Sequence, residues 1–327
     1  MSPLHSLLPD TRRPGSASVH ATQALERPPI QPRRDPLRTL ARCLVYAASL
    51  AAPRTLAALG DYLMVRPHRR PQPLQHPLFR EARLHDVPYL SEGRSASLRV
   101  YEWDVPADSA PTVLLAHGWT LSARSMLTFV QPLRQRGLRV LAVDHPAHGH
   151  SSGQDTDFLR AAQALRAVTR TLGPIHGAVA HSFGGAAAGC GLLPAEASSP
   201  LGATSLRALA LLAAPSNLRY VMHLIQAELG LSDRGCAYLD EHAFARFGAF
   251  DQHDLIPLIR NFVSQEGAVL VVDDSHDPTV LPTEGSRLAE AAPSVLHHRT
   301  EGLGHMGILD DPVTLELVAT FIADHAC

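Results

Sequence analysis

The sequence predicts an α/β fold in which a mostly parallel central sheet is flanked by helices. Short apolar runs such as Thr112–Ala116 and Arg139–Val143 alternate with segments of helical character. Strands that are covered on both faces are continuously apolar in this way. A further apolar run at 177–180 leads through Ser182 into a stretch of small residues. That pattern is typical of a strand that turns sharply into a helix and displays one side chain above the sheet edge.

The remaining elements follow in the same alternation. The first predicted strand, Ser97–Trp103, alternates polar and apolar residues as a half-exposed strand does. Three apolar segments predict later strands, at Ala208–Ala213, Ala268–Val272 and Ser294–His298. Helices are predicted at Ser122–Gly137, where glycine ends the pattern, at Thr156–Leu172, directly after Ser182, and at Pro312–Ala326.

The chain divides into three parts by composition. Residues 1–36 are rich in Pro, Arg and Ser, which predicts a disordered arm. Residues 37–77 form a helical segment and linker, and Pro53 separates the two helices. Residues 78–327 form the α/β domain. Within it, 216–262 carries many aromatic residues and no strand, which predicts a small helical lid; its aromatics either line an apolar pocket or anchor the lid to the core.

The composition excludes several function classes. A net charge of −2 over 327 residues argues against a nucleic-acid partner. All 29 basic residues are arginine, which excludes a P-loop lysine, a Schiff-base lysine and a Ser–Lys pair. Four scattered cysteines predict free thiols in a reducing compartment, and the first residues lack an apolar secretory core, so we expect a cytoplasmic protein.

Charge is concentrated at the N-terminus, where residues 1–70 hold eleven Arg and four acidic residues. A basic, partly apolar helical segment at 37–70 either touches an anionic membrane or packs across the α/β domain. Packing across the domain is the favoured interpretation, because helices with one apolar face are common core elements. The oligomeric state is left open.

Ser182 is the candidate nucleophile. The positions two before and two after it are Ala180 and Gly184, where the usual pattern has glycine at both. Alanine is a mild departure, and a small-residue packing turn is the alternative interpretation. A serine hydroxyl needs a base that takes its proton and an acid that orients the base.

The base and acid are predicted from the ends of later strands. His305 lies in a loop framed by Gly302, Gly304 and Gly307, after the last predicted strand. Asp277 follows the strand Ala268–Val272 and is the first choice of acid, and Asp274 is the second. Sites in open α/β sheets form at the carboxyl ends of strands, where these residues would meet Ser182.

The loop after Thr112–Ala116 completes the predicted site. Backbone amides of Trp119 and Phe183 would form an oxyanion hole. The residues expected to contact substrate are Trp119, Phe183, Tyr220, Phe244 and Met306. His145, His148 and His150 form a histidine-rich loop that could bind zinc, but a structural loop is the favoured interpretation. We expect no metal and no cofactor.

Five segments together resemble the α/β-hydrolase family over roughly residues 78–326. They are HGW at 117–119, DHPAHGHSSG at 144–153, AHSFGG at 180–185, HDPTV at 276–280 and GLGHMGILDDP at 302–312. The resemblance implies a Ser–His–Asp hydrolase and leaves its substrate open. The aromatic residues of the predicted lid add the expectation of a small-molecule carboxylic ester with an apolar group. Acyl transfer or carbon–carbon bond hydrolysis by the same triad, and a non-catalytic ligand-binding member of the fold, are the alternatives.

Overall fold

The computed structural model describes residues 36–69, 75–91, 93–107, 109–193 and 205–326. Eight strands form one sheet in the order β1-β2-β4-β3-β5-β6-β7-β8. Their bounds are β1 Arg83–Ser91, β2 Arg94–Trp103, β3 Thr112–Ala116, β4 Arg139–Val143, β5 Gly177–His181, β6 Ala208–Leu212, β7 Ala268–Asp274 and β8 Leu296–Thr300. The arm predicted at 1–36 lies outside the described residues except for Pro36.

Six of the strands, β3 to β8, run parallel, and β1 and β2 form an antiparallel hairpin joined to β4. The predicted fold class is therefore confirmed. The strand β1 is an element that the sequence analysis did not predict. Its residues include Pro88 and charged side chains, which suit an edge strand and carry little apolar signal.

Helices connect and cover the strands. Their bounds are α1 Pro36–Ala51, α2 Pro53–Met64, α3 Pro77–Glu81, α4 Val130–Gln135, α5 Phe158–Leu172, α6 Phe183–Leu192, α7 Leu218–Leu229, α8 Asp233–Phe247, α9 Leu255–Ser264, α10 Pro282–Ala289, α11 Gly304–Gly307 and α12 Pro312–His325. The helix predicted at Ser122–Gly137 is instead a 3-10 helix, Ala123–Phe129, followed by the short α4. A second 3-10 helix spans Phe250–His253.

Two apolar clusters, one on each face of the sheet, form the core. Helices α5, α6, α9 and α10 cover one face, and α12 with the first 3-10 helix and α4 cover the other. Every residue of β3, β5 and β6 is buried. This double coverage explains why these strands are continuously apolar in the sequence.

The predicted lid region contains two kinds of structure. Helices α7 and α8 with the second 3-10 helix share a separate apolar cluster that includes Met222, Leu239 and Phe247. Helix α9, also within 216–262, packs on the sheet through Leu255 and Ile259. The insertion that stands apart from the sheet therefore ends before α9.

Helices α1 and α2 contact each other, and both lie against α8. Pro53 occupies the first turn of α2, where its missing N–H costs nothing. The chain after α2 is fixed to the α/β domain, since the Thr156 amide donates to the Val65 carbonyl and the Arg69 side chain donates to the carbonyls of Gly149 and Ser151. Within the described ranges, no helix has both the length and the apolar character needed to cross a bilayer.

Candidate active site

Ser182 lies at the sharp turn between β5 and α6. Its φ of 52° is a left-handed conformation that is strained for a residue with a side chain. Gly184 lets α6 approach β3 closely, because a Cβ there would lie 2.4 Å from the Ala116 carbonyl oxygen. Ala180 is fully buried in β5 between β3 and β6, and its methyl group is accommodated in the core. The alanine is therefore compatible with the turn.

His305 lies between Ser182 and Asp277. Its Nδ1 donates to Asp277 Oδ2 at 2.7 Å, and the Ser182 hydroxyl oxygen lies 3.1 Å from its Nε2. The Asp277 side chain is completely buried, and its Oδ1 accepts hydrogen bonds from the Thr279 and Val280 amides. A carboxylate accepts only, so Nδ1 carries the proton and Nε2 is free to accept the serine proton.

Asp274, the second choice of acid, has a different set of partners. It accepts hydrogen bonds from the Thr300 hydroxyl and from the amides of His276 and Leu303. Burial alone would raise the pKa of Asp274, but the hydrogen bonds outweigh it and hold the pKa below its usual value. Asp274 thus ties the end of β7 to the loop that carries His305, and it does not contact the imidazole.

Two further residues, His181 and Tyr220, hold the loops that carry His305 and Asp277, a role that was not predicted from the sequence. The His181 Nε2 donates to the His305 carbonyl at 3.0 Å, and burial lowers the pKa of His181 to about 3, so this imidazole is neutral. The Tyr220 hydroxyl donates to the Thr279 carbonyl and accepts from the Leu281 amide. His181 thus holds the backbone at His305, and Tyr220 holds the loop that follows Asp277.

Trp119 and Phe183 face each other across the turn, with ring centroids 5.1 Å apart. No hydrogen bond from either backbone amide is present in the described part of the chain. Phe183 begins α6, so its amide is one of the helix's first N–H groups, which lack intrahelical acceptors. The two amides are thus available to an oxyanion, and the dipole of α6 favours negative charge there.

Buried histidines hold the Trp119 loop. His117 Nδ1 donates to the Gly118 carbonyl, and His117 Nε2 accepts from the His145 amide. His148 Nδ1 donates to the Pro146 carbonyl, and His148 Nε2 accepts from the Thr120 amide at 3.2 Å. Burial lowers the pKa of His148 to about 3, which keeps it neutral and able to accept.

A cleft of about 800 Å³ opens beside the site. Its walls include Thr120, which follows Trp119, and Met306, which follows His305. The other apolar lining residues are Leu78, Leu121, Leu127 and Leu309, and the polar ones include His68 and Arg124. The cleft therefore lies between the loop after β3 and the loop after β8.

Comparison with known proteins identifies the family. The Alpha/beta hydrolase family model matches residues 113–316, more than half of the chain. The chain belongs to the alpha/beta hydrolase family. No curated protein matches this hydrolase in sequence.

Solved structures share the fold of this hydrolase at low identity. An esterase from Pyrococcus furiosus is 20% identical with a TM-score of 0.57, and the match covers 80% of this chain and all of that one. The esterase domain of a Rhodothermus marinus protein is 19% identical, with a TM-score of 0.52 and coverage of 75% and 100%. A bromoperoxidase from Bacillus anthracis is 17% identical, with a TM-score of 0.53 and coverage of 73% and 99%. At this identity the likeness shows the fold alone.

The hydrolase places two of the predicted substrate-contacting residues elsewhere. Phe244 is 60% exposed on α8, in a surface depression with Arg219 and Asp251, away from the turn. Tyr220 is buried and acts on the loop after Asp277, as described above. Neither aromatic side chain lines the cleft, because α8 turns Phe244 outward and the core of the insertion encloses Tyr220. Met306, also predicted, does line the cleft.

The histidine-rich loop has structural contacts in this hydrolase. Both ring nitrogens of His148 are hydrogen-bonded to the backbone, and His150 Nδ1 lies 3.0 Å from the Tyr101 hydroxyl. Among the residues that the structure describes, no group of three side chains could hold a metal ion. The loop also requires glycine at position 149, because a Cβ there would collide with the Asp144 carboxylate.

Proposed function

We propose that this hydrolase cleaves carboxylic esters by nucleophilic catalysis at Ser182. The observation that carries the proposal is His305, which bridges the Asp277 carboxylate and the Ser182 hydroxyl through opposite ring nitrogens. This is the arrangement that activates a serine, and residues from three separate loops have to converge to build it.

In the proposed reaction, Ser182 Oγ attacks the ester carbonyl carbon while His305 Nε2 takes the hydroxyl proton. Asp277 accepts the Nδ1–H bond and stabilises the imidazolium. The amides of Trp119 and Phe183 donate to the carbonyl oxygen as it becomes negative. When the tetrahedral intermediate collapses, His305 gives its proton to the leaving alkoxide, and the alcohol departs.

The second half of the reaction uses the same groups. His305 takes a proton from water, and the hydroxide oxygen attacks the acyl-enzyme carbonyl. Collapse releases the carboxylic acid as His305 returns the proton to Ser182 Oγ.

The cleft supports an ester that has an apolar group. Leucines and Met306 form the apolar walls of the cleft. The proposal of an apolar substrate group therefore rests on these residues and no longer on the aromatic residues of the lid. Thr120 and Arg124 add polar contacts on one side. A group of moderate length fits such a space, since ligand pockets commonly enclose volumes of this order.

Labelling with a fluorophosphonate probe tests the proposal. Ser182 Oγ would displace fluoride from phosphorus, and intact-mass spectrometry should show one adduct that Ser182→Ala abolishes. Ester turnover over a series of nitrophenyl acyl chain lengths should be lost in the same variant. A folded wild-type protein that neither takes the label nor hydrolyses any ester of the series contradicts the proposal.

A further inference from the structure

The N-terminal helices expose most of the large apolar side chains found at the surface. Of thirteen large hydrophobic residues that are exposed in the described ranges, eight lie on α1 and α2. On α1 these include Leu37, Leu40, Leu44 and Leu50, which are at least half exposed. Such a concentration marks an interaction surface, because scattered exposed leucines are ordinary but clusters are not.

The two helices meet the rest of the protein through other residues. Ala57 and a few half-buried apolar side chains pack on the cluster of α7 and α8, and small and polar residues make the closest contacts. Ser49 is fully buried, and its hydroxyl accepts a hydrogen bond from the Ser232 amide at 2.7 Å at the start of α8. Gly60 lies so close to α7 that a Cβ there would be 2.9 Å from Leu229 Cδ1. Both helices therefore keep one face against the insertion and turn most of their leucines outward, where the side chains are exposed.

The charge around these leucines is strongly positive. Residues 36–69 contain five arginines, Arg38, Arg42, Arg54, Arg66 and Arg69, and one acid, Asp61. Asp61 is paired with Arg246 of α8 at 2.7 Å. Arg66 and Arg69 are also engaged within the protein, since Arg66 lies 3.8 Å from the Asp155 carboxylate and Arg69 donates to backbone carbonyls. The excess positive charge therefore comes from the arginines of α1 and α2 themselves. The chain beyond residue 70 has 18 arginines and 27 acidic residues, so this charge is local.

This combination identifies the occupant. A second copy of the same face would place arginines against arginines, and residues 1–35 add five more arginines and three acids. A surface of anionic lipid suits both the exposed leucines and the arginines. The leucines can enter the boundary between headgroups and acyl chains, and the guanidinium groups can bind the lipid phosphates. Segments with an apolar face and basic residues lie in the plane of the interface.

We propose that α1 and α2 dock this protein on the surface of a membrane that contains anionic lipid. The leucine side chains of the two helices enter the boundary between headgroups and acyl chains, and Arg42 and Arg54 bind lipid phosphates. Because α8 holds both helices, the insertion over the sheet edge lies next to the membrane. The proposal does not depend on the proposed function.

Vesicle flotation tests the docking. The wild type should float with vesicles of phosphatidylcholine mixed with phosphatidylglycerol, and less with phosphatidylcholine alone or at high salt. Leu40→Asp with Leu44→Asp should weaken binding by about tenfold or more, since charged groups resist entry into the interface. The matched control, Leu90→Asp with Val313→Asp, changes exposed apolar residues elsewhere and should bind as the wild type does.

A probe on α1 keeps the test independent of those variants. Cys43 is a free, exposed thiol between Leu40 and Leu44. With Cys190, Cys236 and Cys327 replaced by alanine, an environment-sensitive dye on Cys43 should shift to the blue and brighten with anionic vesicles. A dye placed by Leu90→Cys, with Cys43→Ala, should not respond.

Three results would overturn the proposal. One is an unchanged Cys43 dye signal with anionic vesicles. Another is equal binding to vesicles with and without phosphatidylglycerol. The third is concentration-dependent dimerisation that Leu40→Asp with Leu44→Asp abolishes, in a protein that does not float with vesicles, which would assign the face to a second copy of the chain.

Discussion

Asp274 and Asp277 lie three residues apart, and their contacts differ. We expect Asp277→Asn to lower kcat for ester hydrolysis by about 10³- to 10⁴-fold, because the amide favours the wrong tautomer of His305. Steady-state kinetics with a nitrophenyl ester measures this loss. The melting temperature should change little, since the asparagine oxygen can still accept from the Thr279 and Val280 amides.

Asp274→Asn is the matched comparison. It weakens the hydrogen bonds from Thr300, His276 and Leu303, so unfolding should cost about 1–3 kcal/mol less. Any loss of kcat should be much smaller than for Asp277→Asn. If Asp274→Asn proved the more damaging to kcat at unchanged stability, the assignment of Asp277 as the orienting acid would be wrong.

His148 holds the loop that carries Trp119, whose amide is a proposed oxyanion donor, and His148 itself is not one of the proposed reacting groups. His148→Leu removes the acceptor of the Thr120 amide, which should loosen the Trp119 amide and lower kcat by roughly tenfold with little change in KM, since one misplaced donor weakens only transition-state binding. His148→Gln retains an acceptor and should recover part of the rate. Equal effects of the two variants on kcat would argue against a positioning role.

Asp144 gives the stability of the protein a defined pH dependence. Its carboxylate accepts from the Ala123 and His150 amides and from the Tyr101 hydroxyl. Burial alone would raise the pKa of Asp144, but the hydrogen bonds from His150 and from the Ala123 amide outweigh it and hold the pKa below its usual value. A lowered folded pKa stabilises the native state above the unfolded pKa of about 4, and this stability is lost as pH falls through the folded value.

Asp144→Asn should therefore lower the free energy of unfolding at pH 7 by about 2–3 kcal/mol, and the deficit should shrink as the pH falls below about 4. Urea unfolding of both proteins across this pH range measures it. If the difference in the free energy of unfolding between the two proteins were the same at every pH, the charge of Asp144 would contribute nothing to stability.

At the scale of elements, the turn around Ser182 requires glycine at position 184 but accepts alanine at position 180. Gly184→Ala would place a methyl group against the carbonyl oxygens of Ala116 and His117, which belong to rigid backbone. We expect it to destabilise the fold by about 3 kcal/mol and to abolish fluorophosphonate labelling, since overpacking shifts the backbone. Thermal melting and labelling together report both effects.

Ala180→Gly supplies the control for that turn. This change places the glycine of the usual pattern in β5 and adds no contact. It should lower the free energy of unfolding by only about 0.5–1 kcal/mol, because glycine loses more backbone entropy on folding. Labelling of Ser182 should remain. Loss of labelling in Ala180→Gly at full stability would mean that the alanine methyl group itself shapes the turn.

The parts of the fold that were predicted correctly are those whose burial leaves a local pattern. Strands β3 and β4 are covered on both faces and are continuously apolar. Ser182 and His305 stand among glycines or small residues, and the structure brings their side chains within hydrogen-bond distance, while their catalytic roles stay predictions. Strand β1 was missed because an edge strand pairs on one side and tolerates Pro88. Phe244 was misplaced because the side of a helix that faces outward depends on tertiary packing.

The roles of His181 and Tyr220 could not be predicted from the sequence either, because they too depend on tertiary contacts. His181 and Tyr220 act through hydrogen bonds to the His305 and Thr279 carbonyls, which lie 124 and 59 residues away in sequence. Such long-range contacts leave no spacing signal in a single sequence. The position of His181 directly before Ser182 was the one available indication of its role.

At the scale of the whole molecule, the sheet and the N-terminal helices differ in how they are stabilised. Strands β3, β5 and β6 are enclosed by apolar clusters on both faces. Helices α1 and α2 bury fewer apolar side chains, which pack on the insertion around Ala57, and they are held further by contacts such as Ser49 with Ser232 and Asp61 with Arg246. Regions with few buried apolar contacts open at lower free energy than the core.

Hydrogen exchange should therefore separate the two parts. Amides of α1 and α2 should exchange through a local opening, and those of β3, β5 and β6 only when the whole protein unfolds. Gly60→Leu would wedge α2 away from Leu229 and should speed exchange in α1 and α2 by about tenfold or more, equivalent to about 1.4 kcal/mol, while the sheet keeps its rates. Leu59→Gln, at the exposed neighbouring position, should change neither part. Equal acceleration in the sheet would mean that the N-terminal helices and the sheet unfold as one cooperative unit, and that α1 and α2 cannot open independently of the strands.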